Sequence, residues 1–301
     1  MKIIKQKQYW LDHFNDEKYV KIRNNIINSF KDLIFDEVPH KYYLHGEEME
    51  CVSNITHLFK PHFDEEKMAH DTYVRNYNKE GSKYYHMTPE MIIESWHNIS
   101  KEACSTGTDR HNFGESVFWW MVGEYDKIVP EFKDRFKINE NGERYVESIF
   151  PKEDAILSYW EDLPISYMPI LAENKVFNKN KYYSYAGTFD IAFYYDPEID
   201  GGNKKFEGIQ IHDYKTNKDL YKNFGGETLL EPFEDLLDMS LNIYKLQLAA
   251  YQLSLETIGL KVTARRLIWL KPNGCYEKVP IEEIKNKLDE GLKMKFKKNE
   301  Q

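Results

Sequence analysis

Two short stretches most constrain what this chain can fold into: Gly187-Thr188-Phe189-Asp190 and His212-Asp213-Tyr214-Lys215-Thr216. Phe189, Ile191 and Phe193 alternate with Asp190 and Ala192, so the first segment reads as a strand that turns Asp190 away from its apolar side. Ile209, Ile211, Asp213 and Lys215 share one parity, so a second strand carries Asp213 and Lys215 on one face, two residues apart. Between them, Asp196-Pro197-Glu198-Ile199-Asp200-Gly201-Gly202-Asn203 is crowded with turn formers and fits the connection of a long hairpin. Such a hairpin brings Asp190 beside Asp213.

Paired carboxylates are hard oxygen ligands that suit Mg²⁺ or Mn²⁺, ions that polarise a phosphodiester and lower the pKa of a bound water. Lys215 is then placed to orient that water or to offset charge on the phosphate. A lone Asp-x-Lys is equally what an ordinary solvated strand end looks like, so the reading needs further residues. Upstream, Gly107-Thr108-Asp109-Arg110-His111 precedes a helical pattern that places His111 in the first turns and Glu115 four residues later on the same face. His111 offers an imidazole ligand, and Glu115 a contact to the site or to the imidazole from behind; a histidine that merely packs is the alternative. Downstream, Leu236 to Ile258 reads as one buried helix, on which Gln247 and Tyr251 are spaced i, i+4. An amide and a phenol on such a face call for polar partners, or sit at the helix edge.

In order and content these four elements resemble the RecB-like, phage-type exonuclease branch of the PD-(D/E)XK nuclease superfamily. Gly107-Thr108-Asp109-Arg110-His111 matches its Gly-Thr-x-x-His helix, Gly187-Thr188-Phe189-Asp190 its Gly-x-x-Asp strand, Asp213-Tyr214-Lys215 its Asp/Glu-x-Lys strand, and Gln247-Leu248-Ala249-Ala250-Tyr251 its Gln-x-x-x-Tyr helix. Tyr42 to Thr56 resembles, less specifically, the small hairpin and helix start that open many phage-type members. The resemblance implies an α/β fold with a restriction-endonuclease-like core: a central mixed β-sheet flanked by helices, with an N-terminal helical extension. It implies that His111, Asp190, Asp213 and the backbone carbonyl of Tyr214 ligate one or two Mg²⁺ or Mn²⁺ ions. It makes Lys215 the catalytic lysine, with Gln247 and Tyr251 contacting the DNA backbone or positioning catalytic groups. Glu173 stands where many members carry an acidic residue on the preceding strand; it also fits a solvated strand residue. The first acidic position lacks the superfamily's namesake proline, as is common among RecB-like members. Cys51, Cys104 and Cys275 are too few for the four-cysteine iron–sulfur cluster of some relatives.

The activity so implied is metal-dependent hydrolysis of DNA, most simply by an exonuclease of recombination, repair or phage genome processing. A structure-specific endonuclease, an RNA-directed nuclease, and a non-catalytic nucleic-acid-binding or interaction module on the same fold remain as other readings. The chain has no Gly-x-x-x-x-Gly-Lys-Ser/Thr phosphate loop and so no helicase motor of its own; a helicase or annealing protein, where one is needed, is a separate partner.

With 301 residues the chain can bury a sizeable core, and we read one nuclease domain: an N-terminal helical and hairpin extension over 1–100, a catalytic core over 101–280 and a C-terminal helix over 281–301. The net charge of −9 does not exclude DNA, because a metal site needs clustered acids and local basic patches can still steer phosphate. Candidates for phosphate contact are Lys175, Lys181, Lys218 and Arg265, with Lys179, Lys222 and Arg266 nearby. No apolar run approaches the ~20 residues that span a bilayer, and the first residues lack a signal-peptide core. Three scattered cysteines then suggest a cytoplasmic protein, of a bacterial or phage-infected cell, without membrane partners. Coarser signals place helices over Tyr9–Leu33, Pro89–Ser100 and Thr108–Tyr125, with an amphipathic series from Lys285 to Lys298. Turns are expected at Asn141-Gly142 and at Lys271-Pro272-Asn273-Gly274. Trp119-Trp120 on the His111 helix reads as packing.

Overall fold

The computed structural model describes residues 2–223 and 225–297. The chain packs as two compact units, one made of residues up to Lys60 with those from Arg110 onward, the other of Pro61–Asp109. The extension drawn from sequence over 1–100 is thus divided: its first part shares a core with the rest, burying Trp10, Phe14, Ile26 and Phe30 in the main apolar cluster.

The first unit opens with β1 (Ile3–Lys5), α1 (Gln8–His13), α2 (Glu17–Phe30), β2 (Leu33–Asp36), β3 (Lys41–Leu44), β4 (Glu47–Cys51) and α3 (Val52–His57). The second unit holds α4 (Glu65–Asn76) and the beginning of α5 (Pro89–Met121). Beyond Arg110 come β5 (Phe136–Ile138), β6 (Arg144–Glu147), α6 (Pro151–Asp162), β7 (Tyr167–Lys179), β8 (Ser184–Tyr195) and β9 (Gly208–Lys215). The chain closes with α7 (Ser240–Thr257), β10 (Val262–Leu270), β11 (Tyr276–Pro280) and α8 (Lys285–Lys297). Among the described residues, eight strands form one sheet in the order β11-β10-β9-β8-β4-β3-β2, with β7 also paired to β8. β9 and β10 run parallel, as do β4 and β8, and the remaining pairs are antiparallel. The fold is therefore mixed α/β, a central mixed sheet with α2 against β7, α6 against β10 and β11, and α7 against β7 and β10.

Local chemistry explains the turns. His45 and Gly46 both take positive φ, 53° and 86°, which lets the two-residue β3–β4 connection follow the strands' twist. Asn141-Gly142 and Asn273-Gly274 close β5–β6 and β10–β11 with Gly142 and Gly274 at positive φ, as their sequences anticipate. The turn-rich segment after Asp196 does connect the antiparallel β8 and β9. Neither strand has an open side, however. Ala192 is fully buried beside Phe193, and every residue of β9 is buried, so Asp190 and Asp213 lie inside the protein and not at a wet strand tip.

Three helix expectations are corrected. The Tyr9–Leu33 run is broken at Phe14-Asn15-Asp16, where short polar side chains compete with helical hydrogen bonding and His13 Nδ1 pairs with Asp16 at 2.8 Å. The two helices over 89–125 are one, Pro89–Met121, so His111 sits deep in a long helix and not in its first turns. One glycine costs a helix about 1 kcal/mol and does not stop it, and Thr108 turns its hydroxyl back to the Cys104 carbonyl at 3.1 Å. The helix read from Leu236 begins at Ser240, because the Leu236 carbonyl accepts from the Leu229 N–H at 2.8 Å and Leu237 bridges Thr228. The C-terminal helix is present to Lys297; Lys298 and the three residues after it lie outside the described residues. Within the second unit, Asp64 caps α4 through the Lys67 N–H at 3.0 Å, and Trp96 donates to the Tyr84 hydroxyl at 2.8 Å. Among the described residues no helix is long and apolar enough to cross a membrane.

Candidate functional site

The β8–β9 ladder pairs Ile191 with His212 and goes no further, so Asp190 and Asp213 stand at the next position, where the two strands part. The Tyr214 N–H, freed there, donates to Asp190 Oδ2 at 2.6 Å. On the other side of β8, Ala172 pairs with Ile191 and Asn174 with Phe189, and Glu173 between them is held at φ 45°. A left-handed non-glycine residue fixed by paired neighbours on both sides is strained, and such residues cluster at functional sites. From α5, His111 Nδ1 comes within 3.2 Å of Asp190 Oδ2 and 3.9 Å of Glu173 Oε1. One ligand atom from each of His111, Glu173 and Asp190 can be chosen so that all lie within 4.8 Å of one another.

Asp213 is completely buried, and among the described residues neither of its oxygens has a hydrogen-bond partner. Its Oδ2 is nevertheless in ion-pair contact with the Lys215 ammonium, so the contact is charge against charge and not an aimed N–H. A buried carboxylate without aimed donors is costly, and a cation at that point would satisfy it. Lys215 is itself 9% exposed, its Nζ 4.3 Å from the centre of the Tyr244 ring on α7. Farther along α7, Gln247 Nε2 donates to the Tyr251 hydroxyl at 3.0 Å, so each serves as a polar partner of the other.

The charges of this cluster act on one another across short distances. Burial pushes Asp213 up to about 6, with the charge of Asp190 adding to it against Lys215. Burial likewise raises Glu173 to about 7, although His111 pulls the other way. Burial would raise Asp190 too, but His111, Lys215 and the Tyr214 N–H outweigh it and hold that carboxyl below its usual value. Burial would make His111 a weaker base, yet Asp190 and Glu173 lift it to about 10. Lys215 is kept above an ordinary lysine because Asp213 and Asp190 overcome its burial. Three carboxylates thus converge beside one imidazole and one ammonium, so the site's acidic groups outnumber its fixed cation.

Two glycines make room. A Cβ at Gly187 would lie 2.8 Å from Val52 Cγ2 and 2.9 Å from Tyr251 Cε1, so the Gly-x-x-Asp glycine lets α3 and α7 close on β8. A Cβ at Gly114 would lie 2.5 Å from Cε2 of Tyr214, whose hydroxyl accepts from Trp160 Nε1 at 2.9 Å. Gly114 therefore lets α5 approach the strand that carries Asp213 and Lys215.

The structure thus brings together His111, Glu173, Asp190, Asp213, Tyr214 and Lys215, with Tyr251 close enough for its hydroxyl to feel both aspartates. Tyr214 engages the cluster through its N–H, which donates to Asp190. Glu115 does not hold the imidazole: its carboxylate accepts from Trp119 Nε1 at 3.0 Å, one turn along the helix. Arg265 is not an open phosphate contact, because it is buried and donates to Gln252. Arg266 is turned to Gln210 and His212, and Lys179 pairs with Glu47 at 2.7 Å. Lys181 and Lys218 are exposed and Lys175 half-buried. Tyr244 escaped the sequence reading, although it lies three residues before Gln247 and seven before Tyr251, on the same helical stripe.

No protein-family model matches this chain, and no curated protein matches it. The solved structure titled "Crystal structure of SSO0001" is similar over 43% of this chain at 15% identity, with a TM-score of 0.25. The alignment spans 47% of that chain, less than half its length.

Proposed function

We propose that this protein is a metal-dependent deoxyribonuclease built on a PD-(D/E)XK core of the RecB-like kind, most simply an exonuclease acting in recombination, repair or phage genome processing. The observation that carries the reading is the convergence of His111, Glu173, Asp190 and Asp213 beside Lys215 at the point where β8 and β9 part. The donor set fits Mg²⁺ or Mn²⁺: carboxylate oxygens, one imidazole nitrogen and a buried Asp213 carboxylate that lacks hydrogen-bond donors. Asp190, Asp213 and the Tyr214 carbonyl, with His111 and Glu173, would hold one or two ions. When bound, such an ion polarises the phosphodiester and acidifies a coordinated water.

The chain's own residues supply the rest. Lys215 is held protonated between carboxylates, so it acts as a donor and fixed charge that orients the attacking water or offsets charge on phosphate, and not as a base. His111, whose Nδ1 lies 3.2 Å from Asp190 Oδ2, would offer a metal its neutral imidazole, and Asp190 would offer the same ion its carboxylate. Gln247 and Tyr251 form a hydrogen-bonded pair beside the aspartates, suited to a backbone phosphate. Lys218 and Lys181, exposed, and Lys175, half-buried, would meet DNA, in a cytoplasmic setting with any helicase or annealing partner separate.

The test is incubation of the protein with end-labelled linear, closed circular and single-stranded DNA, and with RNA, in Mg²⁺, Mn²⁺ or EDTA. Metal-dependent loss of linear DNA, abolished in Asp213→Ala and Lys215→Ala, is expected. Degradation of closed circles would move the reading to an endonuclease, and cleavage of RNA alone to an RNA-directed enzyme. Activity that survives both substitutions removes the site assignment.

A further inference from the structure

We propose that Tyr244 is a positioning residue for Lys215: its ring is the seat on which the ammonium rests, and its hydroxyl, tied to Asn217, fixes the seat. The inference rests on the nuclease reading for what Lys215 does, but its geometry stands apart from that reading. Lys215 Nζ lies 4.3 Å from the centre of the Tyr244 ring, within the range in which a cation is attracted to an aromatic face. The Tyr244 hydroxyl donates to Asn217 Oδ1 at 2.8 Å. Asn217 follows Lys215 by two residues, and its backbone carbonyl accepts from Trp269 Nε1 at 2.8 Å, where Trp269 is the β10 partner of Lys215. The ring is thus clamped to the end of the same strand whose lysine it supports.

The need for a seat follows from the lysine. A flexible four-carbon stem separates its ammonium from the backbone, and holding such a chain in one geometry costs rotamer entropy. The carboxylate in ion-pair contact with it, Asp213, is one that a metal would engage, so in a loaded site Lys215 cannot depend on it alone. A half-buried aromatic face holds the ammonium at fixed height without competing for its N–H groups, which stay free to donate to water or phosphate. Tyr244 touches no reacting atom in this arrangement and acts through Lys215.

The experiment compares wild type with Tyr244→Leu, Tyr244→Phe and Asn217→Ala, each checked for wild-type-like circular dichroism. Two readouts are taken: kcat and KM on linear DNA with Mg²⁺, and the rate at which a small amine-acylating reagent labels Lys215 in the metal-free protein, followed by mass spectrometry. Tyr244→Leu is expected to lower kcat about 3- to 30-fold, the span of a cation–π contact at a partly desolvated site, with KM within about twofold. Tyr244→Phe, which keeps the ring, restores most of the rate, and Asn217→Ala, which loosens the ring, falls between. Labelling of Lys215 is expected to speed up several-fold in Tyr244→Leu. Unchanged kcat and unchanged labelling in Tyr244→Leu would overturn the proposal, as would a loss carried entirely by KM. If wild type cleaves nothing, the nuclease reading fails while the labelling still decides whether Tyr244 restrains Lys215. If Tyr244→Leu does not fold, Asn217→Ala decides the same question: faster labelling supports the seat, and labelling at the wild-type rate overturns it.

Discussion

Gly114 lies inside a long helix, where glycine is ordinarily a weakness, so Gly114→Ala separates helix propensity from packing. By propensity alone the substitution stabilises a helix interior by about 1 kcal/mol. The neighbourhood reverses the sign. The new Cβ would sit 2.5 Å from Tyr214 Cε2, 3.1 Å from Cδ2 and 3.2 Å from Cζ, contacts with the side and not the tip of a ring that is 1% exposed. Relief requires the ring to move by about an ångström, and overpacking of that kind costs about 1–3 kcal/mol. The movement also loosens the Trp160 bond to the Tyr214 hydroxyl, at about 1 kcal/mol for a buried neutral hydrogen bond. The balance is a loss of about 1–3 kcal/mol after the propensity gain is subtracted. Differential scanning calorimetry should show a melting temperature several degrees lower. In a Tyr214→Val background, where the ring is gone, the same Gly114→Ala should become neutral or stabilising, and that change of sign is the coupling. A Gly114→Ala protein as stable as wild type or more so, in the Tyr214 background, would refute the reasoning.

Glu153 is fully buried and accepts from Arg110, from Arg135 at 3.3 Å and from the Ile149 and Phe150 N–H groups at 2.7 and 3.1 Å; Glu153→Ala should therefore cost about 3–5 kcal/mol in thermal or urea unfolding, as breaking a buried ion pair from one side does. Asp196 accepts from Lys18 and Tyr19, and although burial would raise its carboxyl, these partners hold it below the ordinary value. Its unfolded state therefore binds the proton first, so its contribution is present above about pH 4 and is lost as pH falls further; the stability gap between wild type and Asp196→Asn should narrow on acidification through that range. Mn²⁺ should raise the melting temperature of wild type in proportion to the logarithm of its concentration, and Asp190→Ala should lose that rise. If Lys218 meets a phosphate, Lys218→Ala should flatten the slope of log affinity against log salt by about 0.9, whereas Arg265→Met should leave the slope unchanged because the buried guanidinium already serves Gln252.

What could be read from the chain depended on how local its determinant is. Turns at Asn141-Gly142 and Asn273-Gly274 depend on two adjacent residues, and the long β8–β9 hairpin on alternation and one turn-rich segment. Asp213 with Lys215, and Gln247 with Tyr251, follow from fixed spacing along one strand or helix. Boundaries set by distant partners were not legible: α7 starts late because Leu236 gives its carbonyl to Leu229, and α5 continues through Gly107 with nothing local to stop it. The same holds for side chains. Glu115 shares a face with His111 as spacing requires, yet Trp119, one turn on, takes its carboxylate. Arg265 looks free in the sequence and is enclosed because α7 places Gln252 against it. Tyr244 was hidden among apolar neighbours, since only the fold reveals that Lys215 ends above its ring.

The left-handed backbone of Glu173 sets stability and chemistry against each other at a single position. A glycine there would shed a conformational penalty of roughly 1–2 kcal/mol and remove one of three mutually repelling carboxylates, so selection for a sturdier fold alone would favour replacing this glutamate. Glu173→Gly should accordingly melt higher and bind Mn²⁺ more weakly. The pairs on either side, Ala172 with Ile191 and Asn174 with Phe189, leave the backbone nowhere to relax, so the penalty is shed by changing the residue and not by shifting the chain. Directed evolution for thermostability would be expected to strike this site early, and to return a more robust protein with a poorer cation site.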